Sequence, residues 1–233
     1  MIFDIISNPA PINIVITVFS YLIMFILATP FHECAHGYMA KWLGDPTAAE
    51  HGRLTMNPIK HMDLMGTIGL LVFGVGWAKP VPVSPRRARK APTMKVAMAL
   101  TSAAGPLSNF LLALIFILLM KILVVLCPGN VLVYDYSVAS TTIGYLVVAL
   151  NMIANINLRI GVFNLIMPIP PFDGSRIILS FLPTELYFKI MRYERYILII
   201  VLVLLSSNIL AIPFGAVSSF LYNGIDFITS FIC

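Results

Sequence analysis

His32-Glu33-Cys34-Ala35-His36 sets two imidazoles four residues apart with a carboxylate between them. On a helix that spacing puts both rings on one face, within reach of a single metal ion. The carboxylate next to the first ring has the chemistry of a general base toward a water activated by that ion. The H-E-x-x-H pattern therefore points to metal-assisted hydrolysis. It closes an apolar run long enough to cross a bilayer, and ionisable groups at that depth are costly and functional by default.

Two histidines do not complete a catalytic zinc site, which usually takes three protein ligands and keeps one position for water. His51 and His61 fall in a polar surface stretch. Among acids placed in apolar surroundings, Asp173 in Pro170-Pro171-Phe172-Asp173-Gly174 stands out. A proline-broken helix end presents a side chain to a cavity rather than to lipid, and a glycine lets backbone come close. Asp173 reads equally as a metal ligand and as the N-cap of a short helix at Gly174 to Leu182. Energetics bear on the choice. Charges at bilayer depth cost about 2.5–3.5 kcal/mol each, so Glu33 and Asp173 together cost about 5–7. Zinc binding can return roughly 10–16 kcal/mol in small domains. A divalent ion on His32, His36 and Asp173 would offset the acids.

The elements that must position these groups are membrane helices. The chain has 233 residues, 59% hydrophobic and 11% charged, with mean hydropathy +0.94. Soluble domains carry about 25% charged residues. The composition is that of a multi-pass membrane protein. The net charge of +5 is then loop charge that sets orientation, not a nucleic-acid signal. Cys34, Cys127 and Cys233 have no disulfide or C-x-x-C spacing and read as small buried hydrophobes. The early charge is Asp4 alone, without the basic region of a secretory signal.

Residues 11–29 carry no charge and span about 28 Å at helical rise. Pro30 is expected to kink this helix or open a fresh turn, and the H-E-x-x-H turn continues to about Leu43. The first span is thus about 11–43. Residues 45–63 read as a loop at the membrane surface. Residues 64–83 include a glycine-punctuated stretch, Gly66 to Trp77, too short to span as a helix. It is expected to form an extended or hairpin segment that enters and leaves on one side. Residues 79–95 hold six cations and no acid, with four prolines, and read as a solvated cytoplasmic loop. Further spans are expected at about 96–126, 138–166 and 196–212. Small residues at 97–105 favour close helix packing. Pro106 is expected to bend that helix and Lys121 to snorkel. Glycine, asparagine and aspartate after Pro213 favour an interfacial tail over a fifth crossing. Lys and Arg dominate the 79–95 and 185–195 loops. This puts the N-terminus outside and the H-E-x-x-H turn near the cytoplasmic leaflet. One membrane domain, 1–233, fills the chain, with no repeat or long linker.

His32-Glu33-x-x-His36 together with Asn164…Pro168-Ile169-Pro170-Pro171-Phe172-Asp173-Gly174 resembles the site-2 protease family of intramembrane zinc metalloproteases. Gly52-Arg53-Leu54-Thr55-Met56-Asn57-Pro58, Gly76-Trp77-Ala78-Lys79-Pro80-Val81-Pro82-Val83 and Ala104-Gly105-Pro106-Leu107-Ser108-Asn109 are similar to further family motifs. The resemblance implies an all-α polytopic fold: a three-helix catalytic core, a fourth span and a small re-entrant β-hairpin. It implies one Zn²⁺ held by His32, His36 and Asp173, with Glu33 as base and acid. Water would reach the site from the cytoplasmic side. The substrate would be a transmembrane or membrane-proximal segment of another protein. Asn109 and Asn164 match positions that steady substrate or oxyanion, and helix–helix hydrogen bonding is the alternative for both. The family spacing N-x-x-P-x-P-x-x-D-G is lengthened here by one residue before Pro168, which a π-bulge or looser turn would absorb. The larger members' PDZ-like and CBS domains have no counterpart, so substrate selection would fall to the membrane core or an adaptor. A non-proteolytic metal scaffold or metal transporter is the rival reading. It would want an internal repeat and two-sided access, and neither is seen.

Overall fold

The structure is a computed structural model that describes residues 11–64, 66–67, 78–127, 142–170, 172–193, 196–197, 200 and 211–232. Eight α-helices are described: α1 Pro11–Ile23, α2 Thr29–Trp42, α3 Thr47–Glu50, α4 Met94–Leu126, α5 Thr142–Ile166, α6 Asp173–Leu179, α7 Thr184–Met191 and α8 Ala211–Ile228. Among the described residues, three stretches are long and apolar enough to cross a membrane: Ile14–Trp42, Met94–Leu126 and Thr142–Ile166. The expected spans at 11–43, 96–126 and 138–166 fall on these. Most of the one expected at 196–212 and most of the re-entrant stretch lie outside the described residues.

Pro30 opens a fresh α-helical turn, as expected, within one span that runs on to Trp42. A π-helical turn, Met24–Ala28, joins α1 to α2, and Pro30 sits in the first turn of α2. The wider turn leaves backbone groups unpaired where proline has no N–H to give, so the helix passes through. α4 begins at Thr93, whose side chain accepts a hydrogen bond from the Val96 N–H at 3.2 Å.

α4 is the central helix, packed chiefly against α5 and α2 and then against α6. Small residues set these approaches. Gly161 of α5 lies against the Phe110 ring and the Pro106 carbonyl of α4. Ala113, Ile117 and Met120 of α4 and Val147, Ala154 and Leu158 of α5 are buried. The outer faces carry Leu107, Leu111, Leu119, Ile122 and Leu146, all exposed. A bundle apolar outside and closely packed inside is built for lipid, where packing rather than water exclusion holds helices together.

α8 lies along α5. The Tyr222 hydroxyl donates to Asn151 Oδ1 at 2.8 Å, and Phe214 stacks edge-on with Phe163 at 5.1 Å between centroids. Asp226 meets Lys121 at 2.9 Å. Lys121 is only 3% exposed. It does not snorkel: an acid on the neighbouring helix satisfies it, which removes the reason to reach for headgroups.

The surface stretch after α2 is more ordered than a loop reading implies. Gly44, at φ +99°, reverses the chain in the left-handed region that glycine favours. Buried Asp45 accepts from the Thr47 N–H at 3.0 Å, from the Thr47 hydroxyl and from the Ser84 N–H. Arg87 grips Glu50 with both guanidinium nitrogens, and this holds the Glu50 carboxyl below its ordinary range. His61 is buried, its ring bonded to the Thr55 carbonyl at 2.8 Å. Its carbonyl accepts from the Lys79 N–H at 2.8 Å, beside an isolated antiparallel bridge between Met62 and Ala78. The ends of the 63–77 stretch are thus pinned together. Among the described residues no strand is formed.

Candidate metal centre

Each donor is carried by a separate local device. His32 and His36 occupy one face of α2, with ring centroids 4.6 Å apart and nearly perpendicular planes. Asp173 is the first residue of α6. The cap position belongs to Phe172, so the N-cap reading is not borne out. The Asp173 carboxylate turns to the histidines instead. Gly174 allows this approach: a Cβ there would run into the Leu165 carbonyl and come within 2.8 Å of the Met167 oxygen.

The three side chains converge. The two Nε2 atoms stand 3.0 Å apart. His32 Nε2 is 3.2 Å from Asp173 Oδ2, and His36 Nε2 is 3.3 Å from Asp173 Oδ1. Ligand atoms about 2.0–2.1 Å from a tetrahedral zinc lie about 3.3 Å from one another. The carboxylate turns one oxygen to each ring, and one ligand atom from each of the three side chains lies within 4.8 Å of the others, close enough to share such an ion. His36 Nδ1 donates to the Thr101 carbonyl at 2.7 Å. That fixes the tautomer and leaves the Nε2 lone pair facing its neighbours, the arrangement expected of a metal-binding imidazole. His32 Nδ1 is buried without a partner among the described residues.

α4 forms the wall behind the rings. A Cβ on Gly105 would overlap the His36 ring and lie 2.7 Å from His32 Cε1, so only glycine leaves the imidazoles their places. Glu33 is buried. Its Oε2 accepts from the Val81 N–H at 2.9 Å, which directs the carboxylate toward the 79–83 segment. Cys34 is buried as expected, its thiol donating to the Thr55 carbonyl at 3.2 Å.

Asn109 lies one turn beyond Gly105 on α4, 1% exposed, with Oδ1 unpartnered among the described residues. Asn164 is in the last turn of α5, partly exposed and without a side-chain hydrogen bond among them. The added residue before Pro168 is not taken up as a π-bulge: α5 ends at Ile166 and the Met167 side chain is buried just past it. Arg159 is exposed on α5. The Thr101 carbonyl, the Val81 amide and Asn157, buried with its own unpartnered Oδ1, escaped sequence reasoning. The first two act through backbone, which leaves no residue-type signal.

Residues 19–208 match Peptidase family M50. Over 183 residues, 78% of this chain and 78% of the relative, the chain is 40% identical to the "Putative zinc metalloprotease YwhC" of Bacillus subtilis (strain 168). No solved structure matches the chain.

Proposed function

The chain belongs to peptidase family M50, the site-2 protease family, and from that premise we propose that it is an intramembrane zinc metalloendopeptidase. Membership supports a metalloprotease. The observation that carries the finer reading is the convergence of His32, His36 and Asp173, from two separate stretches of chain, with Glu33 adjoining.

His32, His36 and Asp173 would hold one zinc ion. When bound, zinc would supply Lewis acidity, polarising a scissile carbonyl and making a water easier to deprotonate. Glu33 takes the proton from the attacking water and passes it to the leaving amine. The Thr101 carbonyl and Gly105 keep the imidazoles in register. Asn109 and Asn164 are proposed to steady the substrate or the developing oxyanion.

Substrates in this reading are transmembrane or membrane-proximal segments of other proteins. A helix hides its carbonyls, so the substrate must unwind. The re-entrant stretch at 64–83 is proposed to offer the edge that receives it by strand addition. The re-entrant stretch at 64–83, a fourth crossing at 196–212 and a single domain 1–233 complete the proposed architecture. Orientation follows the basic loops: N-terminus outside, site toward the cytoplasm. An adaptor membrane protein is a proposed partner, and nucleic acid is not.

The test is cleavage of a purified single-span substrate in detergent or vesicles. Wild type should cut it, a zinc chelator should stop it, and Glu33→Gln should not cut. Chelator-insensitive cleavage, or full activity of Glu33→Gln, overturns the proposal.

A further inference from the structure

On α2, Phe31, Ala35, Tyr38 and Trp42 recur at helical spacing about 100° round from the His32–His36 face. On α4, Ala104, Leu107, Ser108 and Leu111 stand similarly apart from Gly105. Where the helices meet, these two stripes line an open groove on the outer side of the pair. The part lined by Phe31, Ala35, Leu107 and Leu111 is apolar. The end where α2 finishes is different in kind: it carries Lys41, Lys90 and two exposed aromatics, Tyr38 at 56% and Trp42 at 77%.

The cations are placed there by the fold. Arg87 is already taken by Glu50, Lys95 by the Leu182 carbonyl and Arg53 by the Lys79 carbonyl. Lys90 is brought to the groove because its N–H donates to the Leu43 carbonyl at 2.9 Å and its stem crosses Gly44, where a Cβ would lie 3.6 Å from Cγ. Neither Lys41 nor Lys90 has an acidic partner among the described residues, and no acid lines the groove.

We propose that this groove is a binding site for one anionic glycerophospholipid, its phosphate between Lys41 and Lys90 and an acyl chain along Phe31, Ala35, Leu107 and Leu111. The match is one of charge and polarity: two unneutralised ammonium groups and interfacial aromatics at one end, hydrocarbon along the rest. The basic 79–95 run, read from sequence as a solvated loop, thereby has one member assigned to lipid.

The full chain is purified and incubated in mixed micelles with phosphatidylglycerol, phosphatidylcholine or free glycerol phosphate, and retained lipid is read by native mass spectrometry. Wild type should retain phosphatidylglycerol over phosphatidylcholine about tenfold, and phosphatidylglycerol but not glycerol phosphate should raise its unfolding temperature. Lys41→Gln with Lys90→Gln should abolish the preference. Lys60→Gln with Arg86→Gln, an equal charge loss away from the groove, should keep it. Equal retention of both lipids, an unchanged preference in the Lys41/Lys90 variant, or the same loss in the Lys60/Arg86 variant overturns the proposal. So does glycerol phosphate acting as well as lipid, or a single-span peptide occupying the groove without anionic preference.

Discussion

In the proposed zinc centre, His32, His36 and Asp173 are held by supports that differ. His36 is fixed by a carbonyl of α4, whereas Asp173 depends on the glycine after it for its approach. Asp173→Ala should therefore lose most bound zinc while Glu33→Gln keeps it, both read by metal content of folded protein. Gly105→Ala touches no donor, yet its methyl would enter the space of both rings. It should weaken zinc binding by about 10–100-fold, the range seen when groups behind metal ligands are changed. Competition with a calibrated chelator measures this, and unchanged affinity would remove Gly105 from the site. The histidines and glutamate were legible in the sequence because helical spacing alone gathers them. Asp173 was legible as a candidate, and that its carboxylate lies against both imidazoles needed coordinates. Gly105 was visible only as a small residue, because which rings it faces depends on how α2 packs on α4.

At the level of elements, the π-turn at Met24–Ala28 lets one continuous span carry Pro30 and present the H-E-x-x-H turn unbroken. α8 is held at three places along its length: Phe214 at Phe163, Tyr222 at Asn151 and Asp226 at Lys121. Phe163 also meets Phe172 at 4.6 Å between centroids, beside Asp173, so the end of α8 near Phe214 braces the segment that holds the third donor. Asp226→Ala leaves a buried ammonium with only a backbone carbonyl. It should cost about 1–3 kcal/mol and lower the unfolding temperature in detergent, and a Lys121→Met, Asp226→Ala double variant should recover part of that loss. An unaltered melting temperature in the single variant would mean that the pair does not hold α8. Sequence pattern located the long helices within a few residues, since apolar length determines them. It placed Lys121 at the headgroups because local polarity cannot reveal that two distant charges pair.

Among the described residues many large apolar side chains face outward, and six of the chain's cations are gathered at 79–95. The asymmetry of the loops fixes the expected orientation. In a background with the native cysteines replaced, Lys60→Cys and Arg89→Cys should react with an impermeant maleimide only from the cytoplasmic side of vesicles. Labelling from the outside would invert the topology and the side from which water enters. Family membership and class were legible from two motifs far apart in sequence, since such a pair survives changes elsewhere in the chain. The central claim is that His32, His36 and Asp173 share one zinc ion, and metal content tests it most directly. Folded wild-type protein prepared in zinc-replete medium should hold one zinc per chain by elemental analysis, and His36→Ala should hold almost none. Metal-free wild type, or a His36→Ala variant with a full complement of zinc, would contradict the account.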